Sequence, residues 1–202
     1  MRLGGAVAAV AALCLPAVAQ ANGDPASHVL PAKKVFVPLN AKVDSGVLSQ
    51  LEATVDEADD AGFRIRVALI AEAADLGTAF SLFGRPQRYA ELLGYELSFI
   101  YDDRLLIVTP QGYGFVLDGK PDKQASDVLA RLPAPGRDAT SEARAAARAI
   151  VRLAGAAGHR ITIPSGSSAT RDRLTIAAAA VLGLALLGGL LLYRRSSRTL
   201  RP

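Results

Sequence analysis

Residues 174–193 (L-T-I-A-A-A-A-V-L-G-L-A-L-L-G-G-L-L-L-Y) are 20 consecutive uncharged, mostly apolar residues, and nothing else in the chain restricts it as much. As a helix rising about 1.5 Å per residue, the run measures roughly 30 Å, the thickness of a bilayer's hydrocarbon layer. Every face of that helix is apolar and both flanks are basic, which argues against burial in a water-soluble core. Arg171 and Arg173 precede it, Tyr193 stands at headgroup depth, and Arg194, Arg195, Arg198 and Arg201 follow with no acid among them. Such a basic tail marks the cytoplasmic side. The expectation is a single-pass membrane helix over 174–193, with residues 194–202 lying against anionic headgroups inside the cell. Ala179/Gly183 and Ala185/Gly189 are small-residue pairs through which two such anchors could form a homodimer.

The opposite end has the parts of an export signal: Arg2, an apolar run from Leu3 to Leu15, Pro16, then Ala17-Val18-Ala19 as an A-x-A site. Ala19-Gln20-Ala21 is a second such site, so a signal peptide is expected over residues 1–21 with cleavage after Ala19 or Ala21. Cys14, the single cysteine, falls inside it behind Leu13, which is too large for a lipoprotein signal. The mature chain then carries no thiol, which suits an oxidising compartment.

Topology changes the meaning of the charge. The chain is formally +4, yet between residues 20 and 173 it has all 19 acids and 18 of the 23 bases. The exported part is therefore near −1, and the excess of base is a topology signal rather than a nucleic-acid footprint. No nucleic-acid partner is expected. Mean hydropathy of +0.25 reflects the two apolar ends.

Between the ends, residues 22–34 lack periodicity and read as an entry arm, and 158–173 read as a juxtamembrane linker rich in Ser and Gly. Residues 35–157 are expected to form one extracytoplasmic domain. From Asp44 or Ser45 an apolar stripe (Val47, Leu48, Leu51, Val55, Ala58) predicts a helix ending at Gly62, with an acidic face of Glu52, Asp56, Glu57, Asp59 and Asp60. Phe63–Ile70 reads as a covered strand. Asp75 heads a short helix to Leu82, and Pro86 opens a helix carrying Tyr89, Leu92, Leu93 and Leu97. Leu105–Thr109 and Tyr113–Leu117 form a hairpin about Pro110-Gln111-Gly112, closed by Asp118-Gly119. A short helix follows near Gln124–Arg131, and Thr140 or Ser141 caps an Ala-rich helix to about Ala157. The fold class is α/β, with α+β as the alternative: a layered domain whose small mixed sheet contains one hairpin and carries packed helices.

This order resembles the TPM-domain group, to which thylakoid acid-phosphatase-like and photosystem-repair proteins belong. The resemblance is carried by V-D-S-G-V-L-S-Q-L-E, R-I-R-V-A-L-I and D-R-L-L-I-V-T-P-Q-G-Y-G-F, over roughly residues 42–155. The stretch Y-A-E-L-L-G-Y-E-L-S-F-I-Y (89–101) departs from the group's pattern, and the Asp/Gly-rich second half of many members is missing. The resemblance implies a membrane-tethered accessory domain, in some members metal-binding and in some a phosphatase.

Chemistry is thin. Asp102, Asp103, Asp118 and Asp122 flank the hairpin strands, and oxygen ligands of that kind would suit Ca²⁺ or Mg²⁺, although no D-x-D-x-D-G loop accompanies them. Arg85, Arg88 and Arg104 with Gly84 or Gly112 could hold a phosphate. His28 and His159 sit in the arm and the linker with no nucleophile elbow nearby. Gly112, Tyr113 and Gly114 at the hairpin tip, and Tyr89, Tyr95 and Tyr101, are candidate partner contacts. The expectation is a single-pass extracytoplasmic module, more a binder than an enzyme, assisting another membrane or envelope protein. The competing expectation is a divalent-metal-dependent phosphatase-like hydrolase using Asp102, Asp103 and Asp118.

Overall fold

A computed structural model describes residues 23–164. The expected signal peptide, the membrane helix and the basic tail lie outside the described residues, as do Arg171, Arg173, Tyr193, Arg194, Arg195, Arg198 and Arg201. Among the described residues no helix is long and apolar enough to cross a membrane.

The elements run α1 (Pro25–Val29), β1 (Val35–Phe36), α2 (Ser45–Asp60), β2 (Ile65–Leu69), a 3-10 stretch (Ala73–Leu82), α3 (Pro86–Leu97), β3 (Arg104–Thr109), β4 (Gly112–Leu117), β5 (Lys120–Pro121), α4 (Lys123–Leu129) and α5 (Ala139–Ala156). The five strands form one mixed sheet in the order β1-β2-β3-β4-β5. β1, β2 and β3 are parallel, while β4 and β5 return antiparallel.

Alternation along each strand sends its side chains to two cores. Ile65, Val67, Leu69, Leu106, Val108 and Phe115 meet α2, α4 and α5 on one face. Ala68, Ile70, Leu105, Ile107 and Val116 meet α1, the 3-10 stretch and α3 on the other. A sheet covered on both sides explains why β2 turns continuously apolar from Val67 and β3 from Leu105. In α5 the buried face is largely alanine (Ala143, Ala146, Ala147, Ala149), which lets α2 and α5 approach closely.

Both parallel crossovers step to the neighbouring strand in the same direction. Yet the first runs through α2 on one face and the second through α3 on the other. The two are therefore of opposite hand, so one departs from the usual right-handed rule. It follows that the loops leaving the carboxyl ends of β1 and β2 diverge to opposite faces of the sheet.

The supposed entry arm belongs to the body. Asp24 caps α1, accepting from the Ala26 N–H at 2.9 Å, and Ala26 and Leu30 are fully buried. A five-residue helix is too short to show a period, so the arm reading followed from its composition alone. β1 and β5 escaped notice for the same reason, each being two residues long. The start of the linker is also packed: Ile161 is buried, the Thr162 N–H donates to Glu57 at 3.0 Å, and the Gln50 amide donates to the Pro164 carbonyl at 3.0 Å. Asp138, not Thr140 or Ser141, caps α5 by accepting from the Ser141 N–H. Asp75 sits inside a 3-10 stretch kinked at Gly77, and its carboxylate accepts from the Ala71 and Glu72 N–H groups just before it.

Candidate functional site

The sheet has two ends, and they differ in kind. Its amino end, where β2 and β3 begin and β4 finishes, holds the carboxylates picked out in the sequence. Asp103 is committed there: one oxygen accepts from Arg64 Nε at 2.8 Å, the other from the Arg104 side chain at 2.7 Å and the Arg104 N–H at 2.9 Å. The Arg104 guanidinium lies 4.4 Å from the centre of the Phe63 ring, and Arg66 lies 4.0 Å from that of Tyr101. Tyr101 donates to the Arg104 carbonyl at 3.0 Å. Asp118 adopts φ 51° in the turn and donates its N–H to the Asp103 carbonyl at 3.3 Å. Asp122 caps α4, accepting from the Ala125 N–H at 2.7 Å. Asp102 is exposed. Hence Asp103 serves arginines and Asp122 a helix terminus. Among the described residues no group of three His, Cys, Asp or Glu side chains is arranged to hold a metal ion. The donor set does not fit a Ca²⁺ or Mg²⁺ centre.

The arginine set does not assemble either. Arg85 and Arg88 lie at the start of α3, and Arg88 pairs with Glu91 at 3.2 Å. Arg104 begins β3 at the other end of the sheet. His159 is structural: its Nδ1 lies 2.7 Å from the Ala61 carbonyl at the end of α2, and its ring packs on Phe63. His28 is exposed in the last turn of α1.

The hairpin tip is occupied by the fold itself. The Thr109 hydroxyl accepts from the Gln111 N–H at 3.2 Å and donates to the Gly112 carbonyl at 3.3 Å, closing the turn. Gly114 passes so close to the start of α3 that any Cβ there would strike the Pro86 carbonyl. Beside it the Gln87 amide pairs with both backbone groups of Phe115, each at 3.0 Å. Tyr113 donates to the Pro133 carbonyl at 3.0 Å. Of the tyrosines, Tyr89 is core and donates to Asp24 at 2.8 Å, Tyr101 is half-buried, and Tyr95 is exposed.

The carboxyl end, where β1 and β2 finish, holds a crevice. Loops that part to opposite faces leave a gap between adjacent strands, the place where open α/β sheets bind their ligands. Here the gap is about 430 Å³ and is walled by Val37, Pro38 and Leu39 after β1, by Glu72 and Asp75 after β2, and by Leu48 and Glu52 of α2. Its lining is mainly apolar, and Leu39 is wholly exposed at its rim. The carboxylates at the rim, Glu52 and Glu72, are exposed and have no ion-pair partner among the described residues.

Sequence reasoning passed over this site because its determinants are topological. Leu39 stands in a loop between a prolyl residue and Asn40, and nothing local says that it borders a gap. The one available signal was V-F-V-P-L (35–39), an apolar run ahead of the first predicted helix to which no element had been assigned.

A second polar feature also escaped the sequence. Glu142, in the first turn of α5, is fully buried, and neither carboxylate oxygen is hydrogen-bonded among the described residues. Burial, reinforced by the Asp75 and Asp138 charges, pushes its carboxyl up to about 8.

No protein-family model, curated protein or solved structure matches the chain, so the resemblance to the TPM-domain group rests on the motifs quoted for it.

Proposed function

We propose that the chain is a membrane-anchored extracytoplasmic module without catalytic activity, which docks another membrane or envelope protein at the crevice beside β1, where the loops after β1 and β2 part. The observation that carries this reading is the pairing of a mainly apolar crevice with a leucine wholly in solvent at its rim. Isolated exposed apolar side chains are ordinary, but one bordering a concave apolar surface is the anatomy of a protein contact. The chemistry points the same way: of the three carboxylates a hydrolase would use, Asp103 is committed to Arg64 and Arg104 and Asp102 stands in solvent.

The path of the chain supports a partner close to the bilayer. Pro164 is held by Gln50 in the first half of α2, whose start faces the crevice end of the sheet. Residues 165–173 then separate it from the expected anchor. Extended at about 3.3–3.6 Å per residue, they keep Pro164 within roughly 30 Å of the expected anchor.

A photo-crosslinking amino acid at position 39, in the full chain in its own envelope, tests this. Discrete adducts are expected from position 39 and not from exposed position 127 on α4. Equal or absent adducts at the two positions would reject docking at the crevice.

A further inference from the structure

The crevice has a feature that its apolar lining alone does not require: its floor is β1, a sheet edge with no strand beside it among the described residues. β1 is the outermost strand, and Val35, Phe36 and Val37 all line the crevice. The Val67 N–H donates to the Lys34 carbonyl at 2.9 Å, so Lys34 and Phe36 turn their backbone groups toward β2. Val35, itself 7% exposed, and half-buried Val37 consequently turn theirs away from β2. Pro38, which has no N–H, ends this edge after two outward residues. Val29 of α1 and Glu72 stand on one side of the edge, with Leu48 and Glu52 of α2 on the other.

We propose that β1 is extended by a short strand from the partner protein, a segment in which Val-like residues alternate with Lys or Arg. This rests on the docking role proposed for the crevice and specifies what enters it. The backbone groups of Val35 and Val37 supply the pairing, and the apolar walls take the aliphatic side chains. The charge at the rim selects the rest. Glu52 and Glu72 face a single base, Lys33, along the crevice lining, and Asp75 adds a third carboxylate already engaged by backbone N–H groups. A second copy of this chain fits poorly, because it would bring four of these glutamates into one seam against two lysines.

The test uses the full chain in detergent micelles and the synthetic peptide acetyl-Thr-Lys-Val-Thr-Val-Lys-Thr-amide. At about 1 mM, roughly ten times a dissociation constant of about 0.1 mM, the peptide should slow amide hydrogen exchange at Val35 and Val37 about tenfold. A peptide with Glu in place of Lys should not. Of two versions N-methylated at alternate residues, in opposite phases, one should lose the effect, because only one edge of the added strand faces β1. The Glu52→Lys, Glu72→Lys double variant should reverse the preference between the Lys and Glu peptides. The strand-addition proposal is overturned if Val35 and Val37 are unprotected, if the Glu peptide protects them equally, or if both N-methylated peptides still do. Crosslinking from position 39 together with any of those results would leave the docking site standing and remove only the added strand. No crosslinking at all would remove the docking site itself.

Discussion

Two buried carboxyl groups show how single residues tie this fold together or set its pH response. Asp24 is buried, and one of its oxygens is shared between the Ala26 N–H and the Tyr89 hydroxyl, which joins the first helix to α3 across 65 residues. Burial raises the Asp24 carboxyl above its ordinary value despite those bonds. Tyr89→Phe leaves the acid with one partner fewer, a loss of about 1–3 kcal/mol. Thermal melts of the full chain should show the variant unfolding several degrees lower, since about 1 kcal/mol moves a domain of this size by a few degrees. Glu142 has no hydrogen-bond partner among the described residues, and its carboxyl is raised to about 8 from an ordinary 4.5. Below the lower value both folded and unfolded chains hold the proton, so burial carries no ionisation penalty. As pH rises between the two values unfolding releases a proton, and stability falls until about pH 8, then levels. The wild type should therefore lose more of its melting temperature between pH 5 and pH 8.5 than Glu142→Gln does. Equal losses in the two proteins would mean that Glu142 is already ionised in the folded state.

Among the elements, the same substitution should act with opposite sign at two glycines. Gly114 on β4 lies against the Pro86 carbonyl, and Gly114→Ala must push the start of α3 off the sheet, breaking the Gln87 clamp on Phe115. Overpacking of this kind costs about 1–3 kcal/mol. Gly155 sits near the end of α5 with nothing within 4 Å of where a Cβ would stand, so Gly155→Ala should stabilise by about 0.5–1 kcal/mol through helix propensity and chain entropy. Chemical denaturation of both variants checks the pair of signs. The difference between these glycines also marks what was legible in the sequence. Long elements announced themselves: the Val47–Ala58 stripe became α2, and the strands expected over 63–70 and 105–109 became β2 and β3. Proline at the start of α3 and the Pro110-Gln111 turn were equally plain. What could not be read was whatever depends on distant partners. Asp103 looks like a ligand until Arg64, 39 residues earlier, takes one of its oxygens. β1 exists only because β2 pairs with it, and the crevice exists only because two crossovers lie on opposite faces.

For the whole molecule the strongest constraint is orientation, and it unites the proposed function with the ends of the chain. Lys and Arg close to a membrane helix set its direction, and four arginines follow residue 193 with no acid among them. For the anchor expected over 174–193, at roughly 2.5–3.5 kcal/mol for each arginine placed mid-membrane, carrying that tail across would be strongly disfavoured. An uncleaved signal segment would give the same arrangement, because the described body would still lie between an inside N-terminus and an inside C-terminus. Single cysteines can test this cleanly, since the sole native cysteine, Cys14, falls in the segment expected to be removed. With Ser167→Cys on the near side of the anchor, a membrane-impermeant maleimide should label intact cells. With Ser196→Cys beyond it, labelling should appear only after the membrane is permeabilised. Labelling of Ser196→Cys in intact cells would place the tail outside and deny the crevice an envelope partner. Labelling of neither position before permeabilisation would put the whole chain in the cytoplasm. The expected pattern instead holds the crevice, with its exposed Leu39 and the open edge of β1, over the outer face of the bilayer, where a neighbouring membrane protein can present a strand to it.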